Sequence, residues 1–234
     1  MIDELKEVVR DYERSRPRSR QKDLGPSEAG NPCNRRLAYR LLGANGVNTD
    51  SDPWPAIVGT AVHAWLEKAF SDDPGRYDTE VKVELPTYMR GTVDLVDKHT
   101  NTVIDHKVLG LTSLKRMKAD GPSEQYRTQV HLYAAGLRLE GYEVEHVAIA
   151  AWSRSGALKD AHWWSEPYDE TLVEATLRRI DALREVTAIG RDALPLIPTA
   201  DANCTWCPFY VPAVTDVTEG CPGHAGAKQS APAA

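Results

Sequence analysis

A chain of 234 residues, 41% hydrophobic and 26% charged, is long enough to bury one sizeable core and has the composition of an ordinary globular protein. Its net charge of -6 excludes a nonselective coat for polyanions, which would be basic. No apolar run reaches the roughly 18 residues of a bilayer span, and the charged start MIDELKEVVRDYERSR does not read as a signal peptide, so no membrane partner and a cytoplasmic location are expected.

Residues 1–14 set Ile2, Leu5, Val8, Val9 and Tyr12 at helical spacing. The basic stretch RSRPRSRQK follows. Its Arg14, Arg16, Arg18, Arg20 and Lys22 read equally well as a phosphate-holding patch or a solvated linker. Pro32 opens a helix carrying Cys33, Leu37, Tyr39 and Leu41, and Gly43 ends it. Residues 44–55 are turn-rich, and a further helix covers roughly 56–70.

The period then falls to two. Val81, Val83 and Leu85 alternate with polar residues as in a strand, and GTVDLVD (91–97) and NTVIDHKV (101–108) form two more, joined by the turn Lys98-His99-Thr100. A polar stretch leads to a strong helix over 123–140, with Val130, Tyr133, Ala134 and Leu137 on one stripe and Gly141 at its end. Strands over 144–152 and 161–168 flank the turn Ser153–Gly156. An amphipathic helix then covers 170–189, carrying Leu172, Leu177, Ile180 and Leu183.

Beyond Ile197 periodicity stops and Pro, Cys and Gly dominate. The expected organisation is an N-terminal helical region (1–43), a core (44–197), a cysteine-rich metal module (198–222) and a disordered tail (223–234). The element order predicts a mixed α/β core with a small C-terminal metal module.

The chemistry concentrates in NTVIDHKV. On a strand, Asp105 and Lys107 share a face about 7 Å apart along the chain, and His106 points to the other. Such a pair alone is usually a solvated face. Here Val103, Ile104 and Val108 make the strand largely buried, so the charges need a reason. A carboxylate can hold a divalent cation while a lysine orients water or stabilises phosphate charge. Asp94 on the preceding strand would reach the same ion across a hairpin. Two carboxylates, a main-chain carbonyl and waters suit Mg²⁺.

Three further residues join the constellation. His63 lies one helical turn beyond Gly59, which is expected to admit a close backbone. Gln129 and Tyr133 are i and i+4 on one helix face, placed to bond phosphate or steady the lysine. Core packing explains Tyr133 nearly as well but not Gln129.

The four cysteines, Cys33, Cys204, Cys207 and Cys221, point to metal or redox chemistry rather than a disulfide framework. Cys204 to His224 also reads CxxC-x13-CxxH, a zinc pattern that needs no help from Cys33.

The order of His63, then GxxD at Gly91–Asp94, then Asp105-His106-Lys107, then Gln129 to Tyr133 resembles the RecB-like branch of the PD-(D/E)xK nucleases, from about Cys33 to Cys221. The nearest likeness is to its iron–sulfur group, comprising AddB nuclease domains, the CRISPR-associated RecB-like exonucleases and their phage-encoded relatives. That resemblance implies a restriction-endonuclease-like α/β core, a central mixed sheet flanked by helices, with a small cysteine-rich metal module joining the N- and C-terminal regions. His63, Asp94, Asp105 and the His106 carbonyl would hold Mg²⁺ or Mn²⁺, Lys107 would be the catalytic lysine, and Gln129 and Tyr133 would lie near the scissile strand.

The resemblance also implies that Cys33, Cys204, Cys207 and Cys221 hold a [4Fe-4S] cluster. This would close a loop of roughly 170 residues and set Arg35, Arg36 and Arg40 against DNA. The thirteen residues between Cys207 and Cys221 depart from the group, whose gap is usually much shorter. The expected activity is exonucleolytic hydrolysis of DNA, single-stranded or with a free end. A homo-oligomer and a recombination or CRISPR partner stay open. Two other readings are an inactive DNA-binding module on the same fold and a zinc-containing interaction protein without nuclease activity.

Overall fold

The structure, a computed structural model, describes residues 1–15, 24–48, 52–86 and 89–225. The chain forms two compact units. One comprises Met1–Leu24, Pro32–Ile57 and Leu183–Ala234, and the other Gly25–Asn31 and Val58–Ala182. Arg16, Arg18, Arg20 and Lys22 lie outside the described residues, as does most of the expected tail. No helix among the described residues is long and apolar enough to cross a membrane.

The second unit is built on a five-stranded sheet in sequence order, β1 (Tyr77–Leu85), β2 (Met89–Asp97), β3 (Thr102–Leu109), β4 (His146–Ser153) and β5 (His162–Pro167). The β3–β4 pair is parallel and the other three are antiparallel, so the sheet is mixed. A parallel pair needs a crossover, supplied here by two helices, α5 (Leu111–Asp120) and α6 (Glu124–Leu139), with α4 (Trp54–Ser71) before the sheet and α7 (Glu170–Thr187) after it.

Strand alternation sorts the side chains. Val103, Val147 and Ile149 pack with Leu114 and Met117 of α5 and with Val130, Ala134 and Leu137 of α6. Ile104, Ala148 and Ala150 face the other side, with Phe70 of α4, Tyr77 and Trp152. β2 slips in this pattern: Val93 and Val96 belong to the α6 side and Leu95 to the α4 side. The slip falls at Asp94. On β1 Thr79 pairs Leu95 and Val81 pairs Val93, and Glu80 between them adopts a left-handed φ of 50°.

Two α-helices escape the period reading, as do the 3-10 segments Leu158–Asp160, Gly190–Leu196 and Cys204–Trp206. Between the basic stretch and Pro32, where the periods place no element, lies the short helix α2 (Pro26–Ala29), which packs on α6. The polar stretch after β3 is α5, missed because only Leu114 and Met117 of its ten residues are buried. The other helices and all five strands lie where the periods place them, to within a few residues at their ends.

In the first unit, α1 (Ile2–Ser15) is amphipathic but buries no residue. The helix opened by Pro32 is α3 (Asn34–Leu41), with Cys33 at its N-cap position and Gly43 beyond its end at φ 61°. The aperiodic C-terminal part is held by a Tyr210–Cys221 bridge, by Tyr39 stacked on Phe209 at 4.7 Å, and by the Arg35 Nε–Ile197 carbonyl bond of 2.9 Å.

Candidate active site

The site begins where β2 and β3 part. Their ladder runs through Leu95–Ile104, Val96–Val103 and Asp97–Thr102 and then stops. The next backbone donor, His106 N–H, bonds instead to Asp94 Oδ2 at 2.7 Å. The Asp94 carboxylate thus takes the place of a ladder partner. Its other oxygen lies 3.3 Å from His63 Nδ1 on α4. Burial works against the Asp94 charge, and the hydrogen bonds from His63 and His106 N–H more than offset it, so its carboxyl lies below the usual range. His63 is raised in turn by its hydrogen bond to Asp94.

Asp105 and Lys107 point to the α6 side, as the strand period requires. Asp105 is 1% exposed. Its Oδ1 accepts from Gln129 Nε2 at 3.0 Å. Its Oδ2 lies 2.7 Å from Lys107 Nζ, an ion-pair distance, yet no donor meets this buried atom in hydrogen-bond geometry. Burial pushes the Asp105 carboxyl up to about 6, with Lys107 opposing that rise. Gln129 Oε1 accepts from Lys107 Nζ at 2.9 Å, and Gln129 Nε2 also reaches Tyr133 Oη at 3.0 Å. One amide therefore joins Asp105, Lys107 and Tyr133, which accounts for a polar residue buried beside a core tyrosine.

His106 faces the α4 side. It stacks on Phe70 at 5.7 Å and receives Trp152 Nε1–H on Nδ1 at 3.4 Å. Burial pushes its pKa down to about 4, so the ring is neutral at pH 7. Gly59, expected to admit a close backbone, faces open space instead, because nothing comes within 4 Å of where a Cβ would lie. Gly91 is the glycine that matters: a Cβ there would stand 2.7 Å from Tyr133 Cε1 and 3.0 Å from Pro26 Cγ. Its bare backbone lets Tyr133 seat over β2.

Tyr126 is a site residue that the sequence reading overlooked. Lys107 Nζ sits 4.7 Å from the centre of its ring. Tyr126, Gln129 and Tyr133 are i, i+3 and i+7 on one face of α6, a spacing visible in the sequence. The opposite face anchors the helix. Arg127 and His131 bond Glu166, and His131 Nδ1 accepts Asp169 N–H at 3.1 Å.

In the first unit, Cys33, Cys204, Cys207 and Cys221 line one pocket, together with Arg36 and His224. Burial raises the thiol pKa of Cys207 and of Cys221. Arg35 is tied to the Ile197 carbonyl, and Arg40 lies over the Phe209 ring at 5.4 Å. His224 donates its backbone N–H to Cys204 Sγ at 3.3 Å. Among the described residues no three His, Cys, Asp or Glu side chains stand close enough to enclose an ion by themselves.

The family model of the PD-(D/E)XK nuclease superfamily matches residues 73–211, and the chain belongs to that superfamily. The matched span includes Asp94, Asp105, Lys107, Gln129 and Tyr133. An alkaline exonuclease from Laribacter hongkongensis has a similar fold, with a TM-score of 0.55 at 13% identity over 76% of this chain and 96% of that one. The same enzyme in complex with dAMP gives a TM-score of 0.53 at 13% identity over the same shares. A phage-related exonuclease from Haemophilus somnus 129PT matches at a TM-score of 0.46 and 12% identity, over 65% of this chain and 78% of that one. No curated protein matches the chain in sequence.

Proposed function

We propose that the chain is a Mg²⁺- or Mn²⁺-dependent deoxyribonuclease that hydrolyses DNA from a free end, with single-stranded DNA as its substrate. The observation that carries the reading is the Asp105–Lys107–Gln129 network on β3 and α6, with the Asp94 carboxylate on the adjoining strand near enough for its charge to act on Asp105, where β2 and β3 part. The likeness in fold to an alkaline exonuclease supports an end-dependent reaction.

The residues fit a hard divalent ion. Asp94 and Asp105 are oxygen donors, and the buried Oδ2 of Asp105, met by the Lys107 ammonium alone and outside hydrogen-bond geometry, keeps lone-pair capacity that a hard cation could use. Asp94, Asp105, His63 and the His106 carbonyl would hold the ion. When bound, it would polarise the phosphate and lower the pKa of water.

The chain's own groups then divide the work. Hydrolysis forms a bond from a water oxygen to phosphorus and breaks one bridging P–O bond, and the leaving oxygen takes up a proton. Lys107, a cation held by Gln129 and Asp105, is placed to bear on the charge that develops on the phosphate. Gln129, itself bonded to Tyr133, keeps that ammonium from swinging away. His106, neutral and packed among aromatics, holds its own carbonyl still.

The cysteine pocket fits a [4Fe-4S] cluster with Cys33, Cys204, Cys207 and Cys221 as ligands, because four thiols from distant parts of the chain line one place. Its role would be to tie the first unit together. A second reading is zinc, favoured by one observation: His224 lines the same pocket as the cysteines.

The test of the nuclease reading is digestion of linear and covalently closed single-stranded DNA with Mg²⁺, Mn²⁺ or excess EDTA. Linear DNA should be degraded with either ion and spared in EDTA. Full cleavage in chelator would sink the metal mechanism, and rapid cutting of circles would show an endonuclease.

A further inference from the structure

We propose that the exposed face of α5, together with Arg154, is a track for the phosphodiester backbone of the DNA strand beyond the scissile bond. The inference rests on the deoxyribonuclease reading above and adds where the strand lies.

The helix begins four residues beyond Lys107, so its first residue lies within about 14 Å of that residue's Cα. Leu114 and Met117 are its only buried residues, and they pack into the core shared with α6. Successive residues turn by about 100° around a helix axis. Burying positions 114 and 117 therefore turns Thr112, Lys115 and Arg116 outward and leaves Ser113 and Lys118 on the flanks. All five are exposed.

What sets the cations of α5 apart is that three lie within four residues. Among the described residues exposed Lys68, Lys82 and Lys159 also lack an ion pair, but each stands singly. The net charge is -6, and exposed cations elsewhere commonly sit against acids: Lys6 with Asp3, Arg14 with Asp11, Arg90 with Glu84, Lys98 with Asp78 and Arg178 with Glu174. Among the described residues Lys115, Arg116 and Lys118 have no acidic partner within ion-pair distance, and the one acid of the helix, Asp120, is its last residue. Three adjacent unpaired cations repel one another, and a strand of phosphates relieves that repulsion.

Arg154 extends the patch to the end of β4. Its backbone N–H bonds the Leu109 carbonyl at 2.8 Å, and its guanidinium leans on the Val108 carbonyl at 3.4 Å. Val108 follows Lys107 directly. The guanidinium of an exposed arginine is thus set beside the catalytic strand.

The test uses the full chain. Binding of a fluorescein-labelled single-stranded oligonucleotide to metal-free protein is followed by anisotropy across a KCl series. The Lys115→Ser/Arg116→Ser/Lys118→Ser variant should lower the slope of log K against log salt by roughly 2, from about 0.7 per lost contact on a single strand, and Arg154→Gln by about 0.7. Arg178→Ser removes a paired charge from α7 and should leave the slope at the wild-type value. In the nuclease assay the triple variant should raise KM at least about tenfold while kcat stays within about twofold. Wild-type slope and KM in the triple variant would overturn the track. Salt-dependent binding by a wild type that cuts no DNA would sink the catalytic reading and leave the track to be judged by its slope. A wild type that binds no DNA overturns both.

Discussion

At the scale of single residues, the site depends on how Lys107 is held. Asp105 approaches its ammonium from the same strand, and Gln129 and the Tyr126 ring approach it from α6. If Lys107 acts on phosphate charge, Lys107→Ala should lose at least about a hundredfold in rate, the size of one lost transition-state contact. Asp105→Ala should lose as much. Circular dichroism must first show both variants folded, and a folded Lys107→Ala with a near-normal rate would remove the lysine from catalysis.

Asp105 also sets a pH dependence. Its folded-state carboxyl is raised by burial to about 6 from an ordinary 3.8, so the folded state grips this proton more tightly than the unfolded chain. The resulting stabilisation is complete below about pH 4 and is lost as pH rises through about 6. Urea titrations of metal-free wild type and Asp105→Asn should therefore differ by an amount that changes across this window. A difference that is flat in pH would contradict the buried charge. In activity the same group predicts an acid limb near pH 6 at limiting Mg²⁺, shifting to lower pH as metal is raised, since proton and ion compete for one carboxylate. Asp105, Lys107, Gln129 and Tyr133 were legible in the sequence because their partners lie two or four residues away on a regular element. The bond from His106 N–H to Asp94 was not, since it depends on where a ladder ends.

At the scale of elements, α6 joins site and scaffold. One face carries Tyr126, Gln129 and Tyr133, and the other bonds Glu166 and the Asp169 backbone through Arg127 and His131. Ser123 caps the helix, its hydroxyl accepting Tyr126 N–H at 3.3 Å. The packing of β2 under Tyr133 allows no side chain at Gly91. Gly91→Ala should cost about 1–3 kcal/mol of stability by overpacking and should slow cleavage as Tyr133 and Gln129 move. Chemical denaturation and a single-turnover assay check the two parts, and wild-type values in both would show that Pro26 and Tyr133 yield at no cost. The short helices α2 and α5 were not legible. Each buries only two residues, too few to impose a period, and their placement is set by α6 and the sheet.

At the scale of the whole molecule, the chain leaves the first unit at Ile57 and returns to it at Leu183. The first unit is therefore assembled from segments far apart in sequence, and a centre joining Cys33 to Cys204, Cys207 and Cys221 would close that long excursion. Anaerobically purified protein should be brown with about four irons per chain, measured by absorption and metal analysis. Cys33→Ala should bleach it and lower its Tm. Retention of metal in Cys33→Ala together with its loss in His224→Ala would establish zinc instead. The sequence by itself determined the strands and the longer helices, and it determined which residues share a face within each, because side-chain direction follows the local period. Only the tertiary structure decided that β2 slips at Asp94, that its ladder to β3 ends there, that His63 meets Asp94, and that four distant cysteines line one pocket. These are matters of register and long-range closure, and no local window of sequence carries them.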